Sequence, residues 1–462
     1  MLRTHNLGQV DEKLAGKKVK LAGWIDTIRE HGKVIFIDLR DRYGKVQCVI
    51  IQKNSDFEKV KKLSKESCII IEGEVQKRPK GSENNDLKSG KIEVFINKVG
   101  VLGSSAQLPF ELDEEVGEEV RMKYRFLDLR TDKMQKNLIF RSKVTQAVRE
   151  FFIKQEFIEI EMPLLVKPTP EGARDYIVPS RVSKGKFYAL PQSPQLYKQI
   201  LMISGFDKYF SLAKCLRDED LRQDRQPEHT QIDFEMSFVE AEDIMNFVEE
   251  LYKYVFKKVL DIELKNFTKL TYEESIKKYG TDKPDLRKDK NNKKEFAFCW
   301  IYDYPLFNYN KDEKRWEPEH HMFTMPKEEF IKDLEKNPGK VKGDLFDIVL
   351  NGVELGSGSM RVSNPELQER IMKVIGLSKK EANKKFGFLL NAYRYGGPVH
   401  GGMGLGFDRM VALMLGYKDI REVIPFPKNK SAQNLMDDSP SEIDEKQLKE
   451  VNIKSIVEKE KK

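Results

Sequence analysis

KYFSLAKCLRDEDLRQDRQPEHTQIDFE, Lys208–Glu235, is the stretch that decides the fold of the larger part of this chain. Lys208–Leu216 alternates apolar and polar residues and runs into Arg217. A loop dense in charge follows. Alternation then resumes, with Gln231, Asp233 and Glu235 on one face and Ile232, Phe234 and Met236 on the other. Period-two alternation on both arms predicts an antiparallel hairpin with a long charged connection. Polar groups aligned on one strand face are costly to bury without partners. The face therefore predicts a ligand surface.

Outward from the hairpin, the pattern turns helical on both sides. LIFRSKVTQAVREFFIKQEF, from Leu138, and EDIMNFVEELYKYVFKKVL, from Glu242, place apolar residues three and four apart. Antiparallel strands mixed irregularly with helices predict an α+β domain, an antiparallel sheet flanked by helices. Further upstream lie five short β patterns: VKLAGWID, VIFIDLRD, VQCVII, CIIIEGEVQ and IEVFINKVGVL. Five strands at this spacing predict a small barrel of the OB-fold type. The expected organisation is a barrel over residues 1–105, a hinge over 106–135 and the large domain over 136–462. Lys288–Glu295 is lysine-rich and reads as a surface loop. The charged C-terminal segment reads as a frayed helix.

Composition narrows the function classes. Of 462 residues, 34% are charged and 39% hydrophobic, which is typical of a soluble globular protein. No run approaches the apolar length of a transmembrane helix. MLRTHNLGQV has no apolar secretory core, so the expected location is cytoplasmic. Cys48, Cys68, Cys215 and Cys299 show no C-x-x-C spacing and sit in apolar contexts, so buried free thiols are expected. A net charge of +7 is a mild bias toward polyanions. Neither G-x-G-x-x-G between a strand and a helix nor a P-loop is present.

Four further segments carry chemistry. PTPEGARDYIVPS, Pro168–Ser180, is a charged loop. LPQSPQLYKQ, Leu190–Gln199, turns into a helix that puts Gln195 and Lys198 on one face. EHHMFTMP holds adjacent His320 and His321, which point different ways on most backbones. In FDIVLNGVELGSGSMR, Asp347 and Glu354 face opposite sides of an unbroken strand, unless the Asn351-Gly352 turn resets the register. Converging, the two would suit Mg²⁺ bound through nucleotide phosphates. The Gly-Ser-Gly-Ser run would let backbone approach a ligand closely. HGGMGLGFDRMVALMLG leads glycines into a helix with Arg409 near its start, a seat for phosphate or nucleotide.

Together and in order, PEGARDYIVPSR, QSPQLYKQ, RDEDLRQDRQPE, TQID, YGTDKPDLR and ELGSGSMR closely resemble the bacterial-type aspartyl-tRNA synthetases, class II enzymes. FIEIEMPLL resembles their dimer-forming motif 1, the hairpin motif 2 and GLGFDRM motif 3. The resemblance implies a homodimer that joins L-aspartate to ATP and passes the aspartyl group to the 3′ end of tRNA. It implies Arg217 as the catalytic cation bridging both reactants. Mg²⁺ on Asp347 and Glu354 would bridge phosphates. The ATP site would be completed by Asp218, Glu219, Gln226, His229 and the Gly406, Phe407, Asp408, Arg409 run. Aspartate would be held by Glu171, Ser193, Gln195, Lys198, Asp233, His320 and Arg361. Lys198 and Arg361 would take its side-chain carboxylate. In the barrel, Phe36 shares the polar face of its strand with Asp38 and Arg40, a stacking platform for unpaired bases. Arg29, Phe36, Gln47 and Glu93 match the family's anticodon contacts.

The chain departs from the family pattern at three places. His229 replaces a usual Phe over adenine. Glu156 replaces a usual Gly, so a small backbone adjustment is expected. Only KDKNNKKEF, residues 288–296, stands where a domain of about a hundred residues usually follows YGTDKPDLR. His31 and Gly81 match members that also charge tRNA(Asn). Two other readings compete with it. An asparagine synthetase-like paralogue would lack the barrel. An inactive tRNA-binding paralogue would have lost Arg217, Glu354 or Arg409.

Overall fold

The computed structural model describes residues 1–169, 172–265 and 267–456. Contacts divide the chain into two units, Met1–Val116 and Gly117 onward. The segment 106–135 is shared between them. Its later part holds the short helices Glu118–Lys123 and Arg125–Asp128 and the start of a long one.

The first unit is a closed barrel. Its strands are β1 (Lys18–His31), β2 (Val34–Asp41), β3 (Gly44–Ile51), β4 (Cys68–Lys77) and β5 (Ile92–Gly103), in the order β1-β2-β3-β5-β4. The β3–β5 pair is parallel and the others are antiparallel. Alternation sets the faces: Ile35, Ile37 and Leu39 are buried, while Phe36, Asp38 and Arg40 turn outward, half-buried. Each such apolar side chain contributes about 1.5–3 kcal/mol by leaving water.

The second unit is built on an eight-stranded sheet. Its strands are β6 (Ile158–Glu159), β9 (Lys208–Leu216), β10 (Glu228–Ser237), β11 (Thr268–Thr271), β12 (Phe298–Tyr302), β15 (Leu345–Leu350), β16 (Val353–Met360) and β17 (His400–Gly406). They run in the order β11-β12-β15-β16-β17-β10-β9-β6. Two ribbons lie outside it: β7 (Ile177–Pro179) with β8 (Phe187–Ala189), and β13 (Phe307–Asn310) with β14 (Arg315–Pro318). The expected hairpin is β9–β10, paired from Lys208↔Met236 to Leu216↔Glu228.

Helices Asp132–Lys154 and Ala241–Leu260 pack on one face of this sheet. In the second, a Glu240–Asp243 capping box starts the helix, and Ile244, Val248, Leu251, Tyr252, Val255 and Phe256 form its buried stripe. The first ends in a paired terminus: Glu156 N–H donates to the Ile153 carbonyl and Phe157 N–H to that of Phe152. Glu156, expected to require a backbone adjustment, has φ 64°, the left-handed region that glycine favours. All four cysteines are free. Cys48, Cys215 and Cys299 are buried, but Cys68, expected to be buried, is half-exposed on the barrel wall.

Candidate active site

A cavity of about 970 Å³ opens over β10, β16 and β17. Glycine strands make this packing possible. A Cβ on Gly402 would sit 2.1 Å from the Phe234 carbonyl, and one on Gly404 1.9 Å from the Gln231 amide. In the Gly-Ser-Gly-Ser run expected to meet a ligand, Gly356 and Ser357 line the cavity. At Gly358 a Cβ would lie 2.0 Å from Met403, so that glycine serves strand packing rather than ligand approach.

The cavity floor is a network of paired charges. Lys198, on the helix Gln195–Ile203, is 2% exposed. Its Nζ donates to Asp233 Oδ2 at 2.9 Å and lies 3.2 Å from Glu235 Oε2. Arg361 clasps Glu235 with two N–H donors, at 2.7 and 3.1 Å, and donates to the Gly402 carbonyl at 3.0 Å. On the polar face of β10, Glu235 is buried and fully paired, whereas Gln231 and Asp233 line the cavity. Burial opposes ionisation of Glu235, but Arg361 and Lys198 outweigh it and hold the carboxyl at about 2. Asp233 is pushed up by burial, against the pull of Lys198, and its buried Oδ1 has no hydrogen-bond partner among the described residues. His321 Nε2 lies 2.8 Å from Arg361 Nη1, and burial and that cation push the imidazole well below its ordinary value. It is neutral and accepts from the guanidinium.

His320 faces the other way. Its Nε2 lies 3.6 Å from Asp347 Oδ2, which also accepts from the Tyr304 hydroxyl at 3.1 Å. Burial lowers the His320 value, but Asp347 and Glu354 dominate and raise it to about 9, so the ring is an imidazolium at neutral pH. Glu354 pairs with Lys283 at 2.9 Å. The Asn351-Gly352 turn has φ 53° and 82°, and a bulge follows Ile348. Val349 pairs with Glu354, and Asp347 shares the Val349 face, so turn and bulge bring the two carboxylates to one side. Glu354 lines the cavity, whereas Asp347, 1% exposed, lies buried against His320 and Tyr304. Asp347 Oδ1 has no hydrogen-bond partner among the described residues. No cluster of three or more His, Cys, Asp or Glu suited to a metal occurs among those residues. Two carboxylates, one with an orphaned oxygen, fit Mg²⁺, which keeps most of its shell for water and phosphate.

The hairpin loop supplies the third wall. Arg217 lines the cavity; its backbone N–H donates to the Pro227 carbonyl at 2.8 Å and its guanidinium Nε to the Gln192 carbonyl at 3.3 Å. Glu219 pairs with Arg225 at 3.1 Å. His229 lines the same wall, and burial, then Arg217 and Arg409, lower its value to about 3, leaving a neutral ring. Arg409 reaches Asp224 Oδ2 at 3.2 Å and the Glu354 carbonyl at 3.1 Å. Ser193 and Gln195 line the cavity, and the buried Gln195 Nε2 has no partner among the described residues. Glu171 lies outside the described residues.

Several expected ATP groups are engaged elsewhere. Gln226 lines the cavity, yet its amide is 3% exposed and exchanges two hydrogen bonds with the backbone of Lys428, at 2.7 and 3.0 Å. Asp218 turns to Arg174, 3.4 Å away. The Phe407 side chain is in the core under Arg141, not in the cavity. Asp408 is held by Arg141 at 2.5 Å and by Thr230 N–H at 2.7 Å. Of that run, Gly406, Asp408 and Arg409 line the cavity. Sequence reasoning missed Glu235 as the anchor of Arg361, His321 as its acceptor and Lys283 as the partner of Glu354. The signals were present: Glu235 shares the Asp233 face, and Lys283 sits inside YGTDKPDLR.

On the barrel, Gln47 Nε2 donates to Glu93 at 2.9 Å, and Arg29 pairs with Asp38 at 2.9 Å. Arg29 and Phe36 are cross-strand partners, and the His31 ring meets Phe36 edge-on at 5.8 Å. Gly81 has φ 88°, a loop position that only glycine takes at ease.

Residues 117–430 match the family model of class II tRNA synthetases (D, K and N), and residues 19–102 that of the OB-fold nucleic acid binding domain. The chain belongs to the class II tRNA synthetases. It is 42% identical to the aspartate–tRNA(Asp/Asn) ligase of Treponema denticola, with 98% of this chain and 99% of that one covered. It is 43% identical to the ligase of the same name from Caldanaerobacter subterraneus, with 98% of each covered. The first of these alignments spans 583 positions against 462 residues here, so that relative carries more than a hundred residues without a counterpart in this synthetase. Among solved structures, asparaginyl-tRNA synthetase from Pyrococcus horikoshii bound to asparaginyl-adenylate superposes with TM-score 0.76 at 26% identity, covering 92% of this chain and 98% of that one. A Leishmania major putative aspartyl-tRNA synthetase shares the fold, with TM-score 0.74 at 20% identity over 92% of this chain and 94% of that one. No helix among the described residues is long and apolar enough to cross a membrane.

Proposed function

We propose that this synthetase is an aspartate–tRNA ligase that charges both tRNA(Asp) and tRNA(Asn). The observation that carries the amino-acid choice is Lys198, buried between Asp233 and Glu235. A pocket for the neutral asparagine side chain has no use for a buried ammonium, whereas aspartate needs a cation for its carboxylate. Lys198 and Arg361 supply two positive charges, and Asp233 keeps one oxygen unpaired for the substrate ammonium. Glu171, Ser193 and Gln195 would receive the ammonium with it, and His320 would help close the site.

In the first step an α-carboxylate oxygen of aspartate attacks the α-phosphorus of ATP and pyrophosphate leaves. Arg217 neutralises the two anions as they meet, and Arg409 holds the triphosphate end. Asp347 and Glu354 would hold Mg²⁺, which when bound supplies charge neutralisation at the phosphates. His229 stays neutral over the base and adds no charge to the site. In the second step a 3′-terminal ribose hydroxyl attacks the acyl carbon, and AMP leaves. Phe36, Arg29, Gln47 and Glu93 offer an aromatic platform and polar edges to the anticodon. His31 and Gly81 set the latitude for tRNA(Asn). Homodimerisation through motif 1 is supported by exposed Ile153, Ile158, Leu164 and Leu165, and as a bacterial-type synthetase the enzyme would act in the cytoplasm. Charging assays on the two purified tRNAs test the proposal. Aspartyl-tRNA should form with both, and no product on tRNA(Asn) would restrict the enzyme to tRNA(Asp).

A further inference from the structure

A second depression, of about 650 Å³, lies outside the reaction site. Trp316, Lys336, Lys340 and Lys373 line it, with Gly339 at its base. Trp316 also forms part of the wall of the large cavity, so the two are contiguous along β14. None of the three lysines has an ion-pair partner among the described residues. The neighbouring Glu335 carboxylate is taken by Arg370, at 2.7 and 2.8 Å, so the depression carries net positive charge. The indole is fixed from two sides. Tyr309 meets it edge-on at 5.1 Å, and a Cβ on Gly339 would lie 2.9 Å from it.

An aromatic ring held rigid beside unpaired lysines is the combination that takes unstacked bases and their phosphates. A rigid aromatic serves any base, and lysines act as point charges for the backbone. We propose that this depression seats the single-stranded 3′ end of tRNA on its way into the reaction cavity, with a base against Trp316 and phosphates at Lys336, Lys340 and Lys373. The proposal rests on the ligase reading.

The test uses the full chain carrying K336A, K340A and K373A together. Aspartate-dependent ATP–pyrophosphate exchange should remain within about twofold of the parent, because none of the three lysines lines the reaction cavity. KM for tRNA should rise about tenfold, with a shallower dependence on salt. An unchanged KM and salt slope alongside intact exchange overturns the proposal. Absence of exchange in the parent enzyme would instead overturn the ligase reading. A photo-crosslink from 4-thiouridine placed next to the 3′ end gives a second readout on the unmutated protein. It should map to residues 316 or 336–340, and a crosslink elsewhere in the chain contradicts the proposal.

Discussion

At Glu156 a side chain with a Cβ occupies left-handed backbone, φ 64°, at the close of the helix Asp132–Lys154. Glycine relieves that strain, so Glu156→Gly should raise stability by about 1 kcal/mol in denaturant unfolding. A loss of stability would show that the Glu side chain has a partner that outweighs the strain. His229 carries a second residue-level consequence. Its folded value near 3 lies below the ordinary value of 6.5, so the unfolded chain takes up the proton first. The stability it contributes is full above pH 6.5 and falls as pH drops toward 3. His229→Phe should flatten that acid slope, and it should lower KM for ATP a few-fold through a larger stacking face.

At the scale of elements, β10, β16 and the helix Gln195–Ile203 meet in the charges of Lys198, Asp233, Glu235 and Arg361. Glu235 lies fully buried between two cations. Glu235→Gln leaves Arg361 with an uncompensated buried charge and should cost about 3–5 kcal/mol of stability. It should also raise KM for aspartate far more than KM for ATP, and equal rises in both would contradict the positioning role. The hairpin and the helix bearing Lys198 were legible because alternation and three-residue spacing are local signals. The partner of Arg361 was not, because Glu235 lies 126 positions away. Gln226 and Asp408 both line the cavity, but the Gln226 amide also closes on Lys428, 202 positions away, and Asp408 is held by Arg141 across 267. Such pairings depend on the assembled sheet and leave no trace in local pattern. The convergence of Asp347 and Glu354 was half legible. The Asn-Gly turn was visible, but the bulge after Ile348 that completes the register was not.

At the scale of the molecule, the barrel and the large unit are separable by experiment. The barrel presents Phe36 outward while its neighbours in sequence fill the core, as the alternation of VIFIDLRD predicts. Phe36→Ala should raise KM for tRNA about tenfold or more, the loss of one stacked base, and leave adenylate formation unchanged. An equal loss of exchange activity would mean that the barrel supports the large unit structurally. The most direct test of the account is amino-acid-dependent ATP–pyrophosphate exchange, with aspartate and asparagine compared on the same enzyme. Lys198 and Arg361 predict robust exchange with aspartate and at least about a hundredfold less with asparagine, because a neutral amide offers weaker acceptors, and donors of its own, to two cationic donors that a carboxylate satisfies. Equal exchange with both, or a preference for asparagine, would contradict it.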